Sequence, residues 1–160
     1  MITLRQKSEY TLFFDRDSKE QVDIHDCESL KLQIETDDRT HAQLWIAYDG
    51  VQMSLDVSVK LGFDSELTVL FWNRMSEALN MTLHMEGKAG SHVHMGIGDL
   101  QAGASDYRIQ ADMREDHSDM ELTSVCIAAH KHWHIDWNQY HSHTTGIMHH
   151  FAVVEENGDY

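Results

Sequence analysis

Histidine is the residue type in this chain with the most chemistry to offer. There are 13, and seven lie between His130 and His150: His130, His132, His134, His141, His143, His149 and His150. The run Trp133-x-Ile135-x-Trp137 alternates apolar and polar positions, which puts His130, His132, His134 and Asp136 together on the opposite face. Neighbours two apart on one face of a strand stand about 6–7 Å apart. Two imidazoles at that spacing, with one donor from an adjacent strand, could hold zinc, iron, copper or nickel. His130, His132 and His134 are therefore the candidate metal ligands. The competing reading is a solvated polar face that happens to use histidine.

A second constellation is His92-x-His94, because cupin metal sites begin with His-x-His on a barrel strand. A cupin-like metal-dependent enzyme needs a carboxylate four residues further on, where this chain has Gly98, with Asp99 one place later. His141-x-His143 meets Ile147 at the same offset. Of the two cysteines, Cys126 sits in the apolar run Val125-Cys126-Ile127-Ala128-Ala129 and reads as a buried thiol. Cys27, between Asp26 and Glu28, reads as the more exposed one and as a poor nucleophile, since adjacent negative charge disfavours the thiolate. No phosphate-binding glycine loop is present, because Gly96-x-Gly98 lacks the third glycine and a following helix. Ser91-His92 lacks the elbow glycines of a hydrolase serine. With 27 carboxylates, no pair stands out as a catalytic dyad, so a non-enzymatic role is expected.

The elements that position these residues are written as a repeat. Leu30-x-Leu32-x-Ile34 returns as Leu55-x-Val57-x-Val59-x-Leu61, as Leu79-x-Met81-x-Leu83-x-Met85, as Tyr107-x-Ile109-x-Ala111-x-Met113 and as Trp133-x-Ile135-x-Trp137. The starts are 25, 24, 28 and 26 residues apart. A second alternating run follows each of the first four after 12 to 14 residues: Ala42-x-Leu44-x-Ile46, Leu67-x-Val69-x-Phe71, Val93-x-Met95-x-Ile97 and Met120-x-Leu122, with a fifth suggested from Ile147 on. Alternation marks strands, and two strands per fixed period mark a stacked coil. The expected fold is all-β, a right-handed parallel β-helix with rungs of about 25 residues, as one domain over residues 1–160. Matching positions should form ladders, with Leu30, Leu55, Leu79, Tyr107 and Trp133 above one another. Polar corners are expected at Glu35 to Thr40, Gly62 to Glu66, Glu86 to Ser91 and Arg114 to Asp119. Asn73 to Glu77 is read as a helical turn.

Residues 1–28 read as a less regular N-terminal cover, with strands at Tyr10 to Phe14 and Gln21 to Ile24. At the other end Phe151 to Val154 reads as a strand, followed by a turn at Glu155 to Tyr160. Open strand edges there invite pairing, either between copies of the chain or with further coils. The net charge of −15 repels nucleic acid and anionic membrane. No apolar run approaches the ~20 residues of a membrane-spanning helix. The polar start and the sparse cysteines fit a soluble, cytoplasmic protein.

From Leu79 to Tyr160 the chain resembles the β-helical core of the SufB/SufD family, scaffold proteins of iron–sulfur cluster assembly. The resemblance rests on Ile135-Asp136, on His141-Ser142-His143-Thr144-Thr145-Gly146 and on Val153-Val154-Glu155-Glu156-Asn157-Gly158-Asp159. Gly87-Lys88-Ala89 and the stretch from Ser118 to Leu122 also fit the family's rungs, while the earlier coils match in rhythm only. It implies a scaffold that pairs with a SufB- or SufD-like subunit and docks a SufC-like ABC ATPase. An iron–sulfur cluster would then be held only in complex with those partners. Family members are far longer, and their later cysteine, histidine and ATPase-binding helices have no counterpart here, so no family site residue transfers.

Overall fold

A strand sends successive side chains to opposite sides, so apolar residues at every second position give one oily face and one wet face. The structure is a computed structural model that describes residues 1–127, 130–139 and 143–153. Its described residues form β1 (Ile2–Arg5), β2 (Glu9–Phe14), β3 (Ser18–His25), β4 (Ser29–Thr36), β5 (His41–Leu61), β6 (Glu66–Gly87), β7 (His92–Asp99), β8 (Ala104–Met113), β9 (Asp119–Ile127), β10 (Lys131–Gln139) and β11 (Thr145–Val153). No helix occurs among them, so none is long and apolar enough to cross a membrane.

Every pairing is parallel, and the strands fall on two ladders. One runs β1, β3, the first half of β5, the first half of β6, β7, β9 and β11. The other runs β2, β4, the second halves of β5 and β6, β8 and β10. The chain visits the ladders alternately, which makes a β-solenoid of about five turns with coils of about 26 residues. Inward side chains of both ladders meet in one buried cluster that includes Leu30, Ile46, Val57, Phe71, Leu83, Met95, Ile109 and Leu122.

The register differs in one place from the expected one. Leu30 pairs with Leu55, Leu55 with Met81, Met81 with Tyr107 and Tyr107 with Trp133. Leu79 lies two residues away on the same face, against Met53 and Ser105. The slip of two keeps every apolar side chain inside, so alternation alone could not detect it.

Asn73 to Glu77 is not a helical turn but part of β6. Gly50 pairs with Met75 and Gln52 with Ala78, so Val51 faces two residues, Ser76 and Glu77, across a bulge. Met75 is drawn into the core there, its N–H donating to Asn73 Oδ1 at 2.8 Å. Residues 1–28 extend both ladders with shorter rungs and bury Leu4, Leu12, Phe14, Val22 and Ile24. Ala128, Ala129, Tyr140, His141, Ser142 and the stretch from Val154 to Tyr160 lie outside the described residues.

The corners after β4, β5, β6 and β8 fall where the polar stretches were expected, and they stack. Each carries one residue with left-handed backbone (Arg39, Asp64, Gly90, His117), followed by a buried hydroxyl residue (Thr40, Ser65, Ser91, Ser118). Main-chain bonds tie them together: Arg39 N–H to Phe63 O at 2.7 Å, Asp64 N–H to Ala89 O at 3.0 Å and Gly90 N–H to Asp116 O at 3.0 Å. Residues about 26 apart in sequence thus become neighbours along a corner column.

Candidate functional site

Several histidines on the outer face of this stack take carboxylate partners from adjacent coils. His25 Nδ1 is 2.6 Å from Asp49 Oδ1, His92 Nδ1 is 2.6 Å from Asp119 Oδ1, and His94 Nδ1 is 3.3 Å from Glu121 Oε2. In all three pairs the partners are register-matched residues on neighbouring rungs. His92 and His94 therefore point outward to separate partners and do not converge on an internal site. A cupin is a jelly roll of antiparallel strands, whereas every strand pair here is parallel, so the cupin-like reading lacks its architecture.

His132 and His134 are exposed on the outer face of β10, and His134 Nε2 lies 3.2 Å from Asp136 Oδ2. His130 sits one place before the strand, exposed and with left-handed backbone (φ 56°), its carbonyl accepting the Ser105 N–H at 3.0 Å. His130 thus lies at the bend that precedes β10, and His132 and His134 on the strand itself.

Among the described residues, three metal-ligating side chains with donor atoms within 4.8 Å of one another come together at Asp116, His117 and His143. His143 Nδ1 is 3.0 Å from Asp116 Oδ1, and His117 Nε2 is 3.9 Å from Asp116 Oδ2. The two imidazoles stack at 5.0 Å with 12° between their planes. Asp116 and His117 belong to the corner after β8, and His143 to the next corner of the column. All three are exposed. Sequence spacing conceals this group, because 26 residues separate the two histidines. The signal was the corner repeat, in which His117 and His143 each precede a hydroxyl residue.

A second cluster is buried between the two ladders. Asp99 Oδ2 accepts hydrogen bonds from Ser105 Oγ at 2.7 Å and Tyr107 Oη at 2.7 Å, and faces Lys131 Nζ at 2.9 Å. Lys131 Nζ also donates to Gly103 O at 2.6 Å and Ser105 Oγ at 3.2 Å. The Lys131 and Asp99 side chains are 2% and 0% exposed. With its partners already placed and solvent excluded, this carboxylate is a clasp between coils, not an acid–base group open to substrate. Desolvation, with smaller repulsions from Tyr48 and Asp99, pushes the Tyr107 hydroxyl far above its usual range. The pattern did carry a sign of this pair: Asp99 and Lys131 occupy inward positions of the alternation, where a charge must find a partner.

Cys126 is buried beside this cluster, on the rung position after Asp99. Burial, then Asp99, raises its pKa, with Lys131 opposing. Its Sγ lies 3.8 Å from His150 Nε2, whose Nδ1 is 2.6 Å from Ser124 Oγ. Cys27 is also buried, 4% exposed, against the expectation of an exposed thiol. The flanking charges point outward while the sulfur turns in and donates to His25 O at 3.5 Å.

Gly96-x-Gly98 has a packing role. Leu70 lies against Gly96 and the Trp72 ring against Gly98, each close enough that a Cβ would meet them at 2.7 and 2.3 Å. Small residues on one coil thus let the large outward side chains of the coil below lie flat. Comparison with protein-family models, with curated proteins and with solved structures returns no match.

Proposed function

We propose that this chain is the solenoid core of a non-enzymatic scaffold of SufB/SufD type for iron–sulfur cluster assembly, working in the cytoplasm. The observation that carries the reading is the coil itself: two parallel ladders of about 26 residues per turn, with a filled apolar interior, which is the architecture the resemblance implies. The described part of the stretch that carries the sequence resemblance builds the coils from the second half of β6 to β11. Cluster atoms are cargo in this reading, held between this chain and its partners rather than by a resident site.

Two features support protein partners. β11 pairs only with β9 among the described residues and leaves one strand edge available for a further parallel strand. Its outward residues Ile147, Phe151 and Val153 are about half exposed, and Val125 on β9 continues the apolar strip. A SufB- or SufD-like subunit, or a second copy of this chain, would pair along such an edge, with a SufC-like ATPase docking on the assembly. The test is an anaerobic pull-down of the tagged chain from its own host, with mass spectrometry of the proteins that co-purify. Recovery of an ABC ATPase together with a longer SufB-like subunit supports the reading. Recovery of the chain alone overturns it.

A further inference from the structure

We propose that Asp116, His117 and His143 form a binding site for a divalent first-row transition-metal ion, with zinc the best fit. The inference is independent of the scaffold reading. Three observations carry it.

The first is convergence: donors from two successive corners have their ligand atoms within 4.8 Å of one another. Tetrahedral zinc with Zn–N and Zn–O distances of about 2.0–2.1 Å brings neighbouring ligand atoms to about 3.3 Å. Asp116 Oδ1 and His143 Nδ1 stand at 3.0 Å already, and a small rotation of the His117 ring closes the remaining gap from 3.9 Å.

The second is preparation of the main chain. Asp116 O is held by the Gly90 N–H at 3.0 Å, and Ser118 Oγ donates to Glu115 O at 2.7 Å, fixing both sides of the Asp116–His117 pair. His117 takes left-handed backbone (φ 57°), the conformation that Arg39, Asp64 and Gly90 use at the same place in the corners before it. Its imidazole is thereby projected over the next corner instead of along the strand. The ligands are placed by the coil repeat, so little ordering remains to be done when the ion binds.

The third is the donor chemistry. Two imidazoles and one carboxylate suit zinc, cobalt, nickel or iron, whereas magnesium and calcium prefer all-oxygen shells. The exposure of all three residues leaves the other coordination positions to water. An ion here would join the corner between β8 and β9 to the corner that precedes β11, stapling the last two turns of the described coil.

The experiment is calorimetric titration of the untagged chain with zinc alone, repeated with cobalt to read the ligand field from its visible absorption. The variants are His143→Gln, His117→Asn (asparagine tolerates left-handed backbone) and the triple variant His130→Ala/His132→Ala/His134→Ala. Circular dichroism and metal-free melting of each variant establish that it is folded. The proposal expects one dominant site, weakened at least about tenfold in His143→Gln and in His117→Asn and unchanged in the triple variant. Zinc should raise the melting temperature of the parent and of the triple variant only. Equal binding by parent, His143→Gln and His117→Asn overturns the proposal, as does loss of the dominant site in the triple variant.

Discussion

Lys131 and Asp99 show how a single residue can hold two coils together. An ion pair of side chains 2% and 0% exposed gains from its Coulomb attraction only while both partners are present. Lys131→Met leaves the Asp99 charge buried and uncompensated, and should lower stability by about 3–5 kcal/mol in urea unfolding. Adding Asp99→Asn to Lys131→Met should recover part of that loss, because the orphaned charge is then removed. Cys126 makes a quieter statement at the same scale. Its raised pKa, caused mainly by burial and then by Asp99, means the folded protein should react with iodoacetamide at pH 8 far more slowly than the urea-unfolded chain. Equal rates would place the thiol outside the core. Two exposed carboxylates set the acid limit in a small way. The His41 N–H bond to Asp17 and the Phe63 N–H bond to Asp38 hold both carboxyls below their ordinary pKa. Their contribution is therefore complete above the unfolded carboxylate pKa and is lost as pH falls through the lower folded values. Asp38→Asn should lower the neutral plateau slightly and so flatten the acid limb of the stability curve, leaving its low-pH end where it was.

At the scale of the strand, alternation told which residues face inward but not which rung-mate each one meets. The distinction can be measured with paired cysteines on the outer face. Asp56 pairs with Thr82, so Asp56→Cys with Thr82→Cys should form a disulfide on mild oxidation. Asp56→Cys with Asn80→Cys should not, although a ladder aligned on Leu79 would have brought those two together. Burial separates the β10 side chains as well. His132 and His134 are exposed, so their replacement by alanine should change stability by less than about 0.5 kcal/mol. Trp133 stacks on Tyr107 at 4.2 Å and is only half buried, so Trp133→Ala should cost somewhat less than the ~3–5 kcal/mol of a fully buried ring. Apart from β1 and the stretch from Asn73 to Glu77, the strands, their faces and four of the corners were legible because each has a local cause: period-two hydrophobicity, or polar residues that tolerate a turn. The bulge at Gly50 was not, since it arises from one coil holding a residue more than the one below. The Asp116–His117–His143 group was hidden for the same reason, being made by stacking across coils and not by any local motif.

For the molecule as a whole, a repeat that buries each rung only against its neighbours makes stability nearly additive along the axis. Changes in the middle coils, such as Val57 or Leu83, should then weigh more than changes in the short rungs β1 and β2. The chain carries a net charge of −15, which disfavours nucleic acid, and in the proposed reading protein partners cover the apolar strip on β9 and β11. Those proposed partners come from the resemblance to the SufB/SufD core. The most direct test is native mass spectrometry of the complex formed by the tagged chain in its own host and purified without oxygen. The expected mass is that of this chain with a SufB-like subunit and an ABC ATPase, and Phe151→Glu should release the partners while leaving the chain folded. A mass corresponding to the chain alone, or to copies of it alone, would contradict the scaffold assignment.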